Sequence, residues 1–248
     1  MSATLRAAGL ASALIAAVNA HGYVQGGFLK GVWWEGYSPS FQYASPPPVV
    51  PGWSDPENLA NGYIPPDQYA TTNITCHEDA TPGQTHLNMT AGETITLSWT
   101  TWPSSHVGPM LTYLANCNGP CETVDKADLK FFKIDELGLI DPTGTPKWAS
   151  DLMIAQNNSW DVTIPTGIAS GNYVMRHETI ALHSAGTADG AQNYPYCINI
   201  AVTGDGTAAP PSEAATSFYK EDDPGILINV YQSLTTYDIP GPTLWSGA

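Results

Sequence analysis

The chain is 248 residues long, with 23 acidic residues against 8 Lys and Arg, so a formal charge of -15 rests on only 12% charged residues. A nucleic-acid binder needs a cationic face to neutralise phosphates, and a protein held on anionic lipid needs clustered Lys and Arg, so this balance excludes both partners. Charged residues usually make up ~25% of a chain; here Gly, Pro, Tyr, Trp and many Ser, Thr and Asn take their place, and the resulting polar, weakly charged surface suits neutral ligands such as sugars. With 42% hydrophobic residues the chain can bury a sizeable core, and its length fits one large all-β domain or two small ones rather than a disordered segment.

In chain order, the first feature is a short cationic start at Met1 to Arg6, an apolar run at Ala7 to Val18 and a small-x-small site at Val18-Asn19-Ala20. This reads as a secretory signal peptide over residues 1–20, because the apolar run falls short of the ~20 residues that span a bilayer. Cleavage there would make His21 the mature N-terminus of a soluble, secreted domain over residues 21–248.

Alternating or β-branched runs follow at His21 to Leu29, Thr94 to Trp99, Met110 to Leu114, Leu129 to Ile134, Trp160 to Ile164, Tyr173 to His183, Cys197 to Val202 and Ile226 to Val230. Each is bounded by Gly, Pro, Asn or Asp, and no stretch holds a long helical period, so the pattern predicts an antiparallel β-sandwich with long loops. The longest connection, Gly31 to Thr75, carries Trp33, Trp34, Trp53, Tyr37 and Tyr43; a structureless loop of that length is often functional. There is no internal repeat or Ser/Thr/Pro-rich linker, and the chain stops soon after its last run, so no appended carbohydrate-binding module is expected.

The four cysteines, Cys76, Cys117, Cys121 and Cys197, are an even number in an exported chain, which favours two disulfides out of three connectivities over a zinc site. Cys117 and Cys121 are close enough to staple one loop, which leaves Cys76 with Cys197. Asn73, Asn88 and Asn157 begin Asn-x-Ser/Thr sequons and are candidate glycosylation sites.

The chemistry centres on His21. An N-terminal histidine offers its α-amine and an imidazole nitrogen to one metal, and the amine's reference pKa of ~8 lets a metal displace its proton. One more imidazole completes three nitrogens, a donor set that favours Cu(II). The candidates are His77, His86, His106, His177 and His183; His77 and His86 read as surface loop residues, whereas His106 lies in a turn-forming segment between two strands, where a sandwich presents site residues.

Five segments then fall in order: His21-Gly22-Tyr23-Val24, His106 through Ala115 followed by Cys117 and Cys121, Arg176 through His183, Gly190 through Cys197, and Asp223 through Asn229 with Ile239-Pro240-Gly241-Pro242. Together they resemble the fungal lytic polysaccharide monooxygenases of auxiliary activity family nine, formerly classed as glycoside hydrolases. The resemblance covers essentially the whole chain after residue 20. It implies an immunoglobulin- or fibronectin-like sandwich whose loops form a flat substrate surface, and one copper held in a histidine brace by His21 and His106. Tyr194 is implied as the distant axial group, with Tyr196 the alternative two residues on. His183 and Gln192 match the pair that hydrogen-bonds the oxygen species and the axial tyrosine, and the disulfides implied are Cys76–Cys197 and Cys117–Cys121. Arg176 and His177 are left as structural, with Glu178 as an ion partner.

The implied activity is oxidative cleavage of β-1,4-glucan such as cellulose: hydroxylation at C1 and/or C4 of a sugar, after which the glycosidic bond breaks by elimination. It would draw on O2 or H2O2 and on an external reductant such as ascorbate, phenols or cellobiose dehydrogenase, with the protein a monomer. Tyr237 resembles the family's surface tyrosine, and Tyr43 and Tyr219 are further candidates for stacking on pyranose rings. A hydrolase would need two poised carboxylates, and no spacing singles out such a pair. The rival from another class is a non-catalytic secreted sandwich that binds polysaccharide or copper, and it would have no need to keep Gln192, His183 and Tyr194 together.

Overall fold

A computed structural model describes residues 22–55 and 62–247. The predicted signal peptide and His21 lie outside the described residues. The strands are β1 (Val24–Leu29), β2 (Val32–Glu35), β3 (Leu87–Thr90), β4 (Thr94–Trp99), β5 (Met110–Asn116), β6 (Phe131–Leu137), β7 (Leu139–Asp141), β8 (Lys147–Trp148), β9 (Ser159–Thr163), β10 (Gly171–Ala181) and β11 (Gln192–Thr203). Two short helices, α1 (Asn73–Cys76) and α2 (Ala149–Ala155), interrupt them. A four-stranded sheet ordered β2-β1-β4-β9 packs on a five-stranded sheet ordered β3-β11-β10-β5-β6, with β7 and β8 forming a small ribbon. All pairings are antiparallel except β3 with β11. This is the expected β-sandwich.

The two sheets differ in how their strands read. In β4, Ile95, Leu97 and Trp99 are buried while Thr94, Thr96 and Ser98 face outward, the alternation of a strand with one wet face. In β10 both faces are buried: Met175 and Ala181 enter the layer between the sheets, and Val174 and Ile180 enter a second apolar cluster behind. That second cluster exists because Trp53, Ile64, Tyr69 and Ile74 from the long connection, and Phe218 and Tyr219 from the C-terminal segment, cover the outer face of the five-stranded sheet. The connection is therefore not structureless; it contributes β2, two 3-10 turns and α1.

Three expectations are corrected here. Ile226 to Val230 is not a strand; Ile226 and Val230 are buried singly in the rear cluster, so its apolar residues anchor a turn rather than a ladder. Tyr219 is no surface ring. Its hydroxyl donates to Glu178 Oε2 at 2.5 Å and lies 2.8 Å from Tyr113 Oη, so it is buried in the cover. His77 is likewise buried, because the 62–77 stretch folds over it: its Nε2–H donates to the Gly62 carbonyl at 3.0 Å and its Nδ1 accepts the Glu78 amide at 2.8 Å. His86 does lie on the surface, paired with Glu122.

The cysteines form Cys76–Cys197 and Cys117–Cys121. The first ties α1 to β11 across 121 residues, a closure that stabilises by about 4–5 kcal/mol if it acts on the unfolded chain. Of the sequons, Asn88 and Asn157 are exposed, and Asn73 is half-buried with Nδ2 donating to Gln68 Oε1.

Beneath the cover, Arg176 and Glu178 pair with both side chains fully buried. The guanidinium also donates to the carbonyls of Ile74 and Thr75, so the pair pins α1 to the sheet. Replacing one member leaves an unpaired buried charge, which costs about 3–5 kcal/mol. Arg176→Met should lower the unfolding free energy by about that amount, measured by urea denaturation.

Between the sheets, His177 Nδ1 lies 2.8 Å from Thr112 Oγ1. Burial, aided by the Arg176 charge, lowers its pKa from 6.5 to about 3, and burial lowers that of His77 to about 4. The unfolded chain protonates both near 6.5 while the folded chain does not, so the unfolded state binds more protons in the interval. Stability held by the neutral rings is complete above pH 6.5 and drains as pH falls towards about 4 for His77 and about 3 for His177. Denaturation midpoints should fall across that window, and His177→Gln should make the dependence shallower.

Candidate active site

His106 sits in the 100–109 segment that joins β4 to β5. A turn with the His106 amide on the Pro103 carbonyl, together with Trp102 Nε1 donating to the His106 carbonyl at 3.0 Å, fixes its backbone. Ser105 Oγ lies 3.1 Å from His106 Nδ1. The segment is then stitched to the end of β10 and to α2: Leu182 donates to the Val107 carbonyl, Thr179 Oγ1 donates to the Pro109 carbonyl, and Gly108 exchanges bonds with Ser150 of α2. A Cβ at Gly108 would lie 1.8 Å from the Ile180 carbonyl oxygen, so only glycine allows this approach.

The stitching brings His183, two residues past the end of β10, against His106. Their ring centroids are 4.0 Å apart. At the start of β11, Gln192 pairs across from Ala181, and two residues on the Tyr194 hydroxyl donates to Gln192 Oε1 at 2.9 Å. Trp102 is the wall between them, with its ring edge-on to both Tyr194 (5.0 Å) and His106 (5.7 Å). Burial, and next the neighbouring Tyr63, push the Tyr194 phenol above its ordinary range, so it stays protonated.

Tyr196, on the same face of β11, is committed elsewhere: its oxygen accepts the Tyr37 amide at 2.6 Å and lies where Cβ atoms at Gly36 and Gly52 would be. Tyr194 is thus the tyrosine that reaches His106's neighbourhood. The N-terminal strand arrives at the same wall, because a Cβ at Gly22 would touch Trp102 at 3.0 Å, and Tyr23 exchanges bonds with Thr100. Among the described residues no group of three His, Cys, Asp or Glu side chains could hold a metal.

Of the predicted surface rings, Tyr43 is exposed, while Tyr237 is half-buried, its ring edge-on to Trp148 and its hydroxyl donating to the Gly225 carbonyl. Two residues went unnoticed in the sequence. Trp102 has no motif to mark it, and Tyr231, 78% exposed, lies on a segment tied by the Ile228 amide to the Ala185 carbonyl, two residues beyond His183.

The sequence profile of Auxiliary Activity family 9 (formerly GH61) matches residues 21–237. The chain belongs to this family. It is 56% identical to AA9 family lytic polysaccharide monooxygenase I of Botryotinia fuckeliana over 96% of this chain and 89% of that one. Among solved structures, the extended catalytic domain of H. jecorina LPMO9A superposes with a TM-score of 0.88 at 50% identity over 92% of each chain. A cellulose-active polysaccharide monooxygenase from M. thermophila superposes with a TM-score of 0.79 at 32% identity over 92% of this chain and all of that one, 100%. As a family 9 member the chain is a copper-dependent monooxygenase that cleaves polysaccharide oxidatively.

Trp102→Phe keeps the wall but leaves the His106 carbonyl without its donor. It should lower the unfolding free energy of the metal-free chain by about 1–2 kcal/mol and weaken copper binding, read by calorimetry.

Proposed function

We propose that this protein is a secreted, monomeric enzyme, a single catalytic sandwich over residues 21–248, that cleaves β-1,4-glucan such as cellulose at C1 and/or C4. The observation that carries the reading is the convergence of His106, His183, Gln192 and Tyr194 on one end of the sandwich, around Trp102 and beside Gly22.

The residues suit copper. Imidazole nitrogens and an α-amine are the donors Cu(II) prefers, and the buried, protonated Tyr194 phenol would be at most a weak further ligand. His21 would hold the ion through its α-amine and ring, and His106 through Nε2, since Ser105 occupies Nδ1. When bound, copper supplies one-electron activation of O2 or H2O2, drawing on a reductant such as ascorbate, a phenol or cellobiose dehydrogenase.

The chain's own groups do the rest. Gln192 Oε1 accepts a hydrogen bond from the Tyr194 hydroxyl and so fixes the phenol in direction. The His183 ring, packed on His106, is placed to donate a proton beside the metal position, where a donor stabilises developing negative charge. Tyr43 and Tyr231 offer exposed rings for pyranose stacking, and Tyr237 a half-buried one. A weakly charged surface matches a neutral polymer, and the cellulose-active relative shares the fold.

The test is mass spectrometry of soluble products from amorphous cellulose, using copper-loaded protein that begins at His21, with ascorbate and air. Copper-dependent oligosaccharides with aldonic-acid or ketone masses are expected, and adding one residue before His21 should abolish both them and tight copper binding. Native-mass sugars insensitive to chelation would overturn the proposal.

A further inference from the structure

Between Gln192 and Tyr194 stands Asn193, whose side chain points the other way, since successive strand residues face opposite sides. It is fully buried. Its Oδ1 accepts the Tyr69 hydroxyl at 2.6 Å, and its Nδ2 donates to Glu178 Oε1 at 2.8 Å. We propose that Asn193 is a positioning residue for the active site, holding the Gln192–Tyr194 pair in place through Glu178 and Tyr69. The proposal rests on the reading of Tyr194 and Gln192 given above.

The need for such an anchor lies in the edges of β11. On one side this strand pairs with β10 along its whole length, but on the other it meets β3 only from Ile200 to Thr203. Towards the active-site end, Pro51, Trp53 and Ile64 meet the second edge instead. Trp53 donates to the Cys197 carbonyl, Asn199 donates to the Pro51 carbonyl, and Asn193 and Ile64 exchange amide and carbonyl at 2.9 and 3.1 Å. Residue 195, facing the same edge as 193 and 197, is a proline with no N–H to give. Among the described residues, the exchange with Ile64 is therefore the last backbone fastening on that edge before Gln192.

The Asn193 amide makes this fastening stiff. Glu178 lies on β10, five residues before His183, and its two oxygens take donors from Arg176, Asn193 and Tyr219 in a fully buried site. A satisfied network at low dielectric resists displacement more than its separate bonds would. The result is a tie behind the site between the strand that leads to His183 and the strand that carries Gln192 and Tyr194.

Tyr219 provides the control, because its hydroxyl reaches the same carboxylate through Oε2, away from Asn193. The experiment compares Asn193→Ala with Tyr219→Phe in the full chain beginning at His21. Three quantities are read: thermal unfolding without metal, amide hydrogen exchange at residues 192–194, and the electron paramagnetic resonance spectrum and affinity of added Cu(II). Both variants should unfold at lower temperature. Only Asn193→Ala should speed exchange at 192–194, alter the copper spectrum and weaken affinity, by about tenfold at most for a residue behind the metal's neighbours. Tyr69→Phe removes only the hydroxyl that Asn193 Oδ1 accepts; it should act in the same direction at smaller amplitude, and it serves if the alanine variant fails to fold. Exchange at 192–194 unchanged in Asn193→Ala, or changed as much by Tyr219→Phe, would overturn the proposal. Faster exchange with an unaltered spectrum would uphold the anchor and overturn the axial reading of Tyr194 instead.

Discussion

On the outer face of β10, a guanidinium and a carboxylate two residues apart are both cut off from water, and neither can keep its charge there without the other. Everything laid over that face is arranged around this pair. Arg176 takes the carbonyls at the end of α1, and Glu178 takes Tyr219 from the C-terminal segment and Asn193 from β11. The cover brings Trp53, Tyr69, Ile74 and Phe218 with it, and so converts an exposed sheet into one buried on both sides. Cys76–Cys197 fastens the same layer covalently.

The active site forms at one end of that doubly covered sheet. Rigidity behind it fixes the directions of His106, His183, Gln192 and Tyr194. The strands deliver them in register: β10 runs out towards His183, β11 starts at Gln192, and the Gly108 approach docks the His106 turn on the end of β10. Trp102 fills the angle between His106 and Tyr194, and Gly22 lies against it.

The C-terminal segment extends the same logic. Lys133, buried by β6 and held by Glu136, donates to the Pro240 carbonyl, and the Gly241 backbone (φ of 88°) turns against Tyr113 and Tyr219. The Ile-Pro-Gly-Pro motif that helps mark the family in sequence is in this structure a fastening, not a contact surface. It packs on the segment around Gly225, where the Ile228 amide then reaches the Ala185 carbonyl.

Much of this was legible in the chain alone. The alternation in β4 and the β-branched runs around it specify strands through side-chain period, and His106, His183, Gln192 and Tyr194 fall in recognisable motifs because chemistry dictates residue type and spacing locally. Other features depend on partners distant in sequence. Ile226 to Val230 has the composition of a strand but meets a cluster rather than a ladder, and Tyr219 and His77 have polar tips that read as surface until a remote carboxylate or carbonyl is found for them. The Gln-x-Tyr motif favours Tyr194 over Tyr196 from sequence, but that Tyr196 is held by the Tyr37 amide and against Gly36 and Gly52, over 140 residues away, is visible only in the fold. Local period and composition carry secondary structure and ligand chemistry, whereas burial and the pairing of polar groups are properties of contacts that exist only once the chain has closed on itself.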